Sequence, residues 1–362
     1  MIKNKAIMLF AYKYVPHSIE KLQEYIDHLF LEVWCEADGD YDIDKLHSDL
    51  KDIVLEIHYS DTIRKDHLYG PIREIYDLFF KINKGRREAL KRWYVNNNSI
   101  EDLCGHTNNC KPLHYKRLKQ LNAELAPKIE KFFKSLFTEI ICLKAVQSKV
   151  GKIDEHYKDF MIENDEGKCA FCGINDIKGQ YHTKREAYDH YLPKAIYPFN
   201  SINFRNLVPM CHECNSSYKT VKDPLHRSNS RQRRKAFYPY TNEIQPPELK
   251  IELINKDINN LKPEDIDLDI TSKAHQEEID TWMDVFGIEE RYKALCIGKH
   301  YGKDWYSQVF DGYETAKVTL GTDFSKDKWI NYIITDALSC LFTNGNFIKV
   351  AFIKGCQRTN ML

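Results

Sequence analysis

A chain of 362 residues with 43% hydrophobic and 29% charged residues has the make-up of a globular protein of two or three domains, with a core that needs no disulfides. Fifty-three Lys and Arg balance fifty-three Asp and Glu, so net charge singles out no partner. No stretch approaches the roughly eighteen apolar residues of a membrane span, which argues against a membrane protein.

The opening "MIKNKAIMLFAYKYVPHS" has a short apolar patch, but its Lys, Tyr and Pro do not suit a secretory signal, and a strand or short helix is expected there. A cytoplasmic protein is therefore expected, in which clustered cysteines point to metal and not to crosslinks. Residues 1–163 read as a helical region. "SIEKLQEYIDHLFLEVW" and "IDKLHSDLKDIVLEIHY" carry apolar stripes at helical spacing. "PIREIYDLFFKINKGRREALKRWYV" opens on Pro71 and predicts a helix broken near Gly85. From Tyr115 to Cys142, Leu118, Leu121, Leu125, Ile129, Phe132, Leu136 and Ile140 lie three or four apart, which predicts one long helix bent at Pro127.

Turn formers take over at "ENDEGKCAFCGINDIKGQ". Residues 164–240 hold thirteen Lys and Arg against seven Asp and Glu, a positive surplus that suits a polyanionic ligand. Residues 241–362 read as mixed: strands at "ELKIELI" and "DIDLDI", then helices in "EEIDTWMDVFGIEERYKAL" and "KWINYIITDALSCLF". Trp282, Phe286 and Tyr292 fall near one helix face and read as core. The scattered Cys35, Cys142, Cys296, Cys340 and Cys356 read as small core residues.

Cys169, Cys172, Cys211 and Cys214 form two Cys-x-x-Cys pairs. A tight turn presents two thiolates to one ion, and two such turns complete a tetrahedral Zn²⁺ site with no position left for water, hence a structural one. The long insert between the pairs contains "YDHYLPK" and "FRNLVPMC", and the second pair ends in Asn215. Asp189 and Asn215 offer hard oxygens suited to Mg²⁺ or Mn²⁺, with His190 left as a free base. Side chains of adjacent strand residues point to opposite faces, so Asp189 and His190 converge only at a bend or across a bound phosphate.

The succession "CAFC", "DHYLPK", "NLVPMC" and "CHECNSSYK" resembles the HNH endonucleases, over Lys168 to Thr220, with Asn215 in the last metal position. The resemblance implies a ββα-metal fold around one divalent ion and cleavage to a 5′-phosphate and a 3′-hydroxyl. Carried onto this sequence, His190 is the general base that takes a proton from water. Asp189 and Asn215 hold the catalytic Mg²⁺ or Mn²⁺, and Asn206 ties the loop that bears the histidine. Lys194 and Lys219 are expected to contact phosphate.

Beyond the motif, "RSNSRQRRK" supplies Arg227, Arg231, Arg233, Arg234 and Lys235, expected to track a nucleic-acid backbone without reading sequence. Cys104, His106, Cys110 and His114 are a weaker second metal set, whose spacing matches no zinc arrangement. His182 and His212 lie near the metal sites without an assigned role. The expected class is thus α+β: a helical region, a central HNH module with a four-Cys zinc, and a mixed C-terminal region. The expected function is phosphodiester hydrolysis, on DNA ahead of RNA. Large flanks of this kind resemble effectors of anti-phage defence, some of which work beside an ATPase subunit. The alternatives are a zinc-stapled nucleic-acid-binding or partner-docking module without catalysis, and an RNA-directed nuclease.

Overall fold

The computed structural model describes residues 11–60, 67–107, 109–228, 230, 232–241, 247–320, 325–341 and 343–362. The expected opening strand or helix falls largely on residues 1–10, outside the described ones. The chain is α+β, rich in helix and poor in strand. Among the described residues no helix is long and apolar enough to cross a membrane.

Helix α1 (Lys21–His28) follows a 3-10 turn capped by His17, whose Nδ1 accepts from the Ile19 amide at 3.1 Å, and widens into a π-helical turn over Leu29–Trp34. Its inward stripe of Leu22, Tyr25, Ile26, Leu29, Phe30, Val33 and Trp34 is buried. Next come α2 (Ser48–His58), α3 (Tyr69–Phe80), α4 (Lys84–Asn98) and α5 (Ile100–Cys104). The break expected near Gly85 falls at residues 81–83 instead. Asn83 Oδ1 accepts from the Arg86 amide at 3.0 Å and starts α4, leaving Gly85 in its first turn.

The long helix expected from Tyr115 to Cys142 is two helices, α6 (Tyr115–Leu121) and α7 (Leu125–Thr138). Asn122 turns extended (φ −153°), and its Oδ1 accepts from the amides of Glu124 and Leu125 at 3.1 and 3.0 Å. Pro127 thus sits in the first turn of α7, where a missing N–H costs nothing, and bends no helix. Helices α8 (Lys144–Val150) and α9 (Ile153–Glu163) complete the region.

The central stretch holds one antiparallel pair, β1 (Ala187–His190) and β2 (Leu207–Met210), with Asp189 opposite Val208 and His190 opposite Leu207. The connecting loop is pinned to the helical region. Buried Asn97 of α4 donates from Nδ2 to the carbonyls of Leu113 and Pro198, both at 2.9 Å, and Phe199 packs between Phe30 and Phe133 at 4.8 and 5.3 Å.

A second hairpin, β3 (Glu248–Leu253) and β4 (Ile266–Thr271), alternates buried Ile266, Leu268 and Ile270 with exposed Asp267 and Asp269. Helices α10 (Gln276–Phe286), α11 (Ile288–Ile297), α12 (Asp304–Leu320), α13 (Lys326–Ser339) and α14 (Asn346–Arg358) follow. Gly355 lets α14 lie directly on β3, since a Cβ there would sit 2.5 Å from the Ile251 carbonyl oxygen. One buried core runs from Tyr12 to Met361 through all three regions. A small satellite core joins Val309, Ile330, Ile334, Ala337, Val350 and Ile353.

Candidate metal centre and the Asp189–His190 pair

The sulfurs of Cys169, Cys172, Cys211 and Cys214 are buried and lie within 4.8 Å of one another, a cluster that can hold a metal such as zinc. Tight turns create each pair. The Gly173 amide donates to the Cys169 carbonyl at 2.8 Å with Gly173 at φ 64°, and the Asn215 amide donates to the Cys211 carbonyl at 3.0 Å. Burial pushes the Cys169 thiol up, whereas hydrogen bonds with Cys169, Cys211 and Cys214 drive the Cys172 thiol far down. Negative charge on these sulfurs is met by neighbouring donors. Asn175 Nδ2 lies 3.4 Å from Cys211 Sγ, and the Arg291 guanidinium lies 3.2 Å from Cys214 Sγ.

Arg291 belongs to α11, so the wall of the cluster comes from the C-terminal region. Trp282 Nε1 donates to the Phe171 carbonyl at 2.8 Å, and the Tyr292 hydroxyl donates to the Cys172 carbonyl at 3.0 Å. These two aromatics are core, as expected, but they sit on two helices and not on one face, because the chain breaks at Gly287 between α10 and α11; they also fix the first Cys pair. Arg291 stacks on Tyr218 at 4.6 Å and pairs with Glu213 at 3.1 Å. Tyr218 in turn fits against Gly287 (φ 58°), where a Cβ would fall 2.4 Å from the ring. Hydrogen bonds to metal-ligating atoms are worth about 10–100-fold in affinity. Arg291→Met is therefore expected to weaken zinc binding by about that factor, read by competition against a chromogenic chelator; unchanged affinity would show that the guanidinium does not neutralise the thiolates.

Beside this cluster, β1, the loop after it and the π-helical turn Glu213–Lys219 hold Asp189 and His190. His190 is buried, its ring edge-on to Phe137 of α7 at 4.6 Å, with Nε2 2.8 Å from the Ser201 carbonyl oxygen. A carbonyl only accepts, so Nε2 carries the proton and Nδ1 keeps its lone pair. Burial, reinforced by the Lys194 charge and opposed by the Ser201 hydrogen bond, pulls His190 down to about 3, so the ring is neutral near pH 7. Asn206, fully buried, accepts from the Leu192 amide at 2.8 Å through Oδ1. Its Nδ2 donates to the Leu192 carbonyl at 3.0 Å. It closes the loop that follows His190.

Asp189 is buried as well, and burial pushes its carboxyl up against the pull of Lys219. Its Oδ2 lies 2.8 Å from the Lys219 ammonium, a buried ion pair. Lys219, expected at a phosphate, is fully buried and also donates to the His190 carbonyl at 3.0 Å, so its charge is spent on these two groups. Lys194 is half-buried with its ammonium 4.8 Å from the centre of the Phe137 ring, the ring that touches His190. Asn215 is half-buried on the turn that carries Lys219.

The basic stretch divides. Arg227 is exposed and Lys235 half-buried, while Arg231 lies outside the described residues. Arg233 and Arg234 turn to groups within the chain. Arg233 donates to the carbonyls of Cys110, at 2.8 Å, and Leu103, and buried Arg234 pairs with Asp284 at 2.6 Å. They join the central segment to α5 and α10. The set Cys104, His106, Cys110 and His114 does not assemble: Cys104 and Cys110 are buried, His106 points outward, and His114 turns toward Asp223 and His226. His182 and His212 are exposed.

One buried histidine outside the motif anchors β1. His156 of α9 bonds the Tyr188 hydroxyl through Nδ1 and the Val15 carbonyl through Nε2 at 3.2 Å, and burial pulls it down to about 4. An unfolded histidine titrates near 6.5, so between these values the unfolded chain binds more protons and stability falls as pH drops. The full penalty is about 3 kcal/mol, reached near pH 4. Urea midpoints from pH 7 to 4 should therefore fall more steeply for the wild type than for His156→Asn; equal slopes would refute the assignment.

No known family profile matches the chain, and no solved structure does. Two curated proteins share part of it. The chain is 31% identical over 68 residues to Septu protein PtuB of Bacillus thuringiensis, covering 18% of this chain and 25% of that protein. It is 47% identical over 64 residues to Protein ea31 of Escherichia phage lambda, covering 18% of this chain and 19% of that protein. The chain thus spans a quarter or less of the length of the curated relatives it matches.

Proposed function

We propose that this chain is a metal-dependent endonuclease of the HNH type that hydrolyses phosphodiester bonds, DNA ahead of RNA, as a cytoplasmic effector of anti-phage defence. The observation that carries the reading is a fixed, neutral His190 next to a buried Asp189 on the same strand. An imidazole with Nε2–H on a backbone carbonyl leaves Nδ1 to accept a proton from water. Asp189 and Asn215 are the oxygen donors for Mg²⁺ or Mn²⁺, since a carboxylate and an amide oxygen suit a hard cation. When bound, such an ion neutralises charge on the scissile phosphate and on the leaving 3′ oxygen. Asn206 keeps the loop closed, Lys219 orients the Asp189 carboxylate, and Lys194 brings positive charge close to the base. The four-Cys cluster, as a structural Zn²⁺ site, joins the two ends of the insert.

Likeness to Septu protein PtuB supports the defence role, and a partner subunit such as an ATPase is a further part of the proposal. The competing reading, a zinc-stapled binding or docking module without catalysis, draws on the ion pair that already neutralises Asp189. Incubating single- and double-stranded DNA and RNA with the protein in Mg²⁺, Mn²⁺ or EDTA separates the two. Metal-dependent cutting that disappears with His190→Ala supports the nuclease; no cutting by wild-type protein under any condition, with or without the co-purified partner, favours the module.

A further inference from the structure

A second cluster of metal-binding side chains lies away from the Asp189–His190 pair. His114, just ahead of α6, meets Asp223 and His226 from the loop after the second Cys pair, and a ligand atom from each lies within 4.8 Å of the others. They line an open cleft of about 540 Å³, with Lys222 and Arg227 also on its wall. Asp223 is held by groups outside the cluster and by His226 within it. The Tyr197 hydroxyl lies 2.8 Å from both oxygens of Asp223, the Leu225 amide donates to Oδ1 at 2.9 Å, and His226 Nδ1 lies 2.9 Å from Oδ2. The rings of His114 and His226 meet edge to face at 5.2 Å, and the His114 ring packs on Tyr197 at 4.8 Å. His114 Nε2 is buried without a hydrogen-bond partner, a loss that a bound ion would make good.

We propose that His114, Asp223 and His226 form a second metal site, which takes Zn²⁺ or another late first-row divalent ion and keeps one coordination position open to the cleft. Two imidazoles and one carboxylate suit these ions, whereas Mg²⁺ prefers oxygen alone. Tetrahedral zinc with bonds of about 2.0–2.1 Å needs ligand atoms ~3.3 Å apart, so the side chains close in slightly around it. The Tyr197 hydroxyl and the Leu225 amide are the outer groups that orient the carboxylate. An ion here fastens the segment after the second Cys pair to the helical region, beside the exposed Arg227.

The test is a Co²⁺ and Zn²⁺ titration of the full chain, with metal content measured after gel filtration and no nucleic acid present, so that it is independent of the nuclease reading. Besides any ion at Asp189 and Asn215, the wild type should bind two equivalents: one with the intense thiolate-to-cobalt band of the four cysteines, the other with weak ligand-field bands that His114→Phe removes. His114→Phe keeps the ring packing but removes the nitrogen, and Asp223→Asn keeps the shape. Each should weaken the second equivalent by about tenfold or more while leaving the thiolate band intact. A single equivalent in the wild type, or a second equivalent unaffected in His114→Phe, would overturn the proposal. Should Asp223→Asn not fold, wild-type stoichiometry and His114→Phe decide.

Discussion

Replacing His190 with alanine is expected to lower metal-dependent cleavage by about 10²–10⁴-fold, the usual worth of a positioned general base. The size follows from how much of the surroundings serves this one ring. Its Nε2 is committed to the Ser201 carbonyl, its flank rests on Phe137, and its own carbonyl receives the Lys219 ammonium. The ring cannot turn to offer the other nitrogen without losing a buried hydrogen bond, so Nδ1 is the one available base. Because the ring is buried, alanine also leaves a cavity that costs about 2–4 kcal/mol of stability. His190→Phe fills the cavity without a base and separates the two effects. Both variants should keep their zinc and far-ultraviolet circular dichroism while cleavage collapses. If His190→Phe cuts within about threefold of the wild type, the imidazole is not the base and the nuclease reading loses its centre.

What the sequence reveals of this site is what lies close along the chain. Two Cys-x-x-Cys turns are local geometry, so the four-sulfur cluster can be read from spacing. Alternation in "ELKIELI" and "DIDLDI" reveals the second hairpin for the same reason, since one face is buried and the other wet. The misread helix at Tyr115–Cys142 shows where periodicity stops informing. The apolar spacing continues across Asn122, but a side-chain cap there satisfies the backbone better than a continuing helix. Convergence over long sequence distance leaves no local trace. Arg291 reaches Cys214 from seventy-seven residues away, and His114 meets Asp223 across more than a hundred. Lys219, Arg233 and Arg234 share a different lesson. A basic residue expected at a phosphate or a nucleic-acid backbone becomes an internal clamp once a carboxylate or a set of carbonyls faces it, and only the fold shows which.

Removing the metal from the four-Cys cluster should destabilise the chain more than any single side-chain change outside it. Structural zinc in small domains supplies on the order of 10 kcal/mol of folding free energy, because the ligands converge only in the folded state. Here the cluster also sits in a hydrophobic wall of Phe171, Phe286, Trp282 and Tyr292, which retains part of the packing without metal. A loss of several kcal/mol is therefore expected and not complete unfolding. Cys211→Ser, which removes the sulfur nearest Asn175, is the sharper probe than chelation. It should release zinc, lower the thermal midpoint by about 10 °C or more, and expose residues 164–240 to protease before the helical region. The order of proteolysis carries the argument, since the thiolates hold the two ends of the insert while Asn97 and Phe199 still hold its middle. A Cys211→Ser protein that keeps a full zinc equivalent on thiolates, or melts with the wild type, would show that the sulfurs are core side chains and hold no ion.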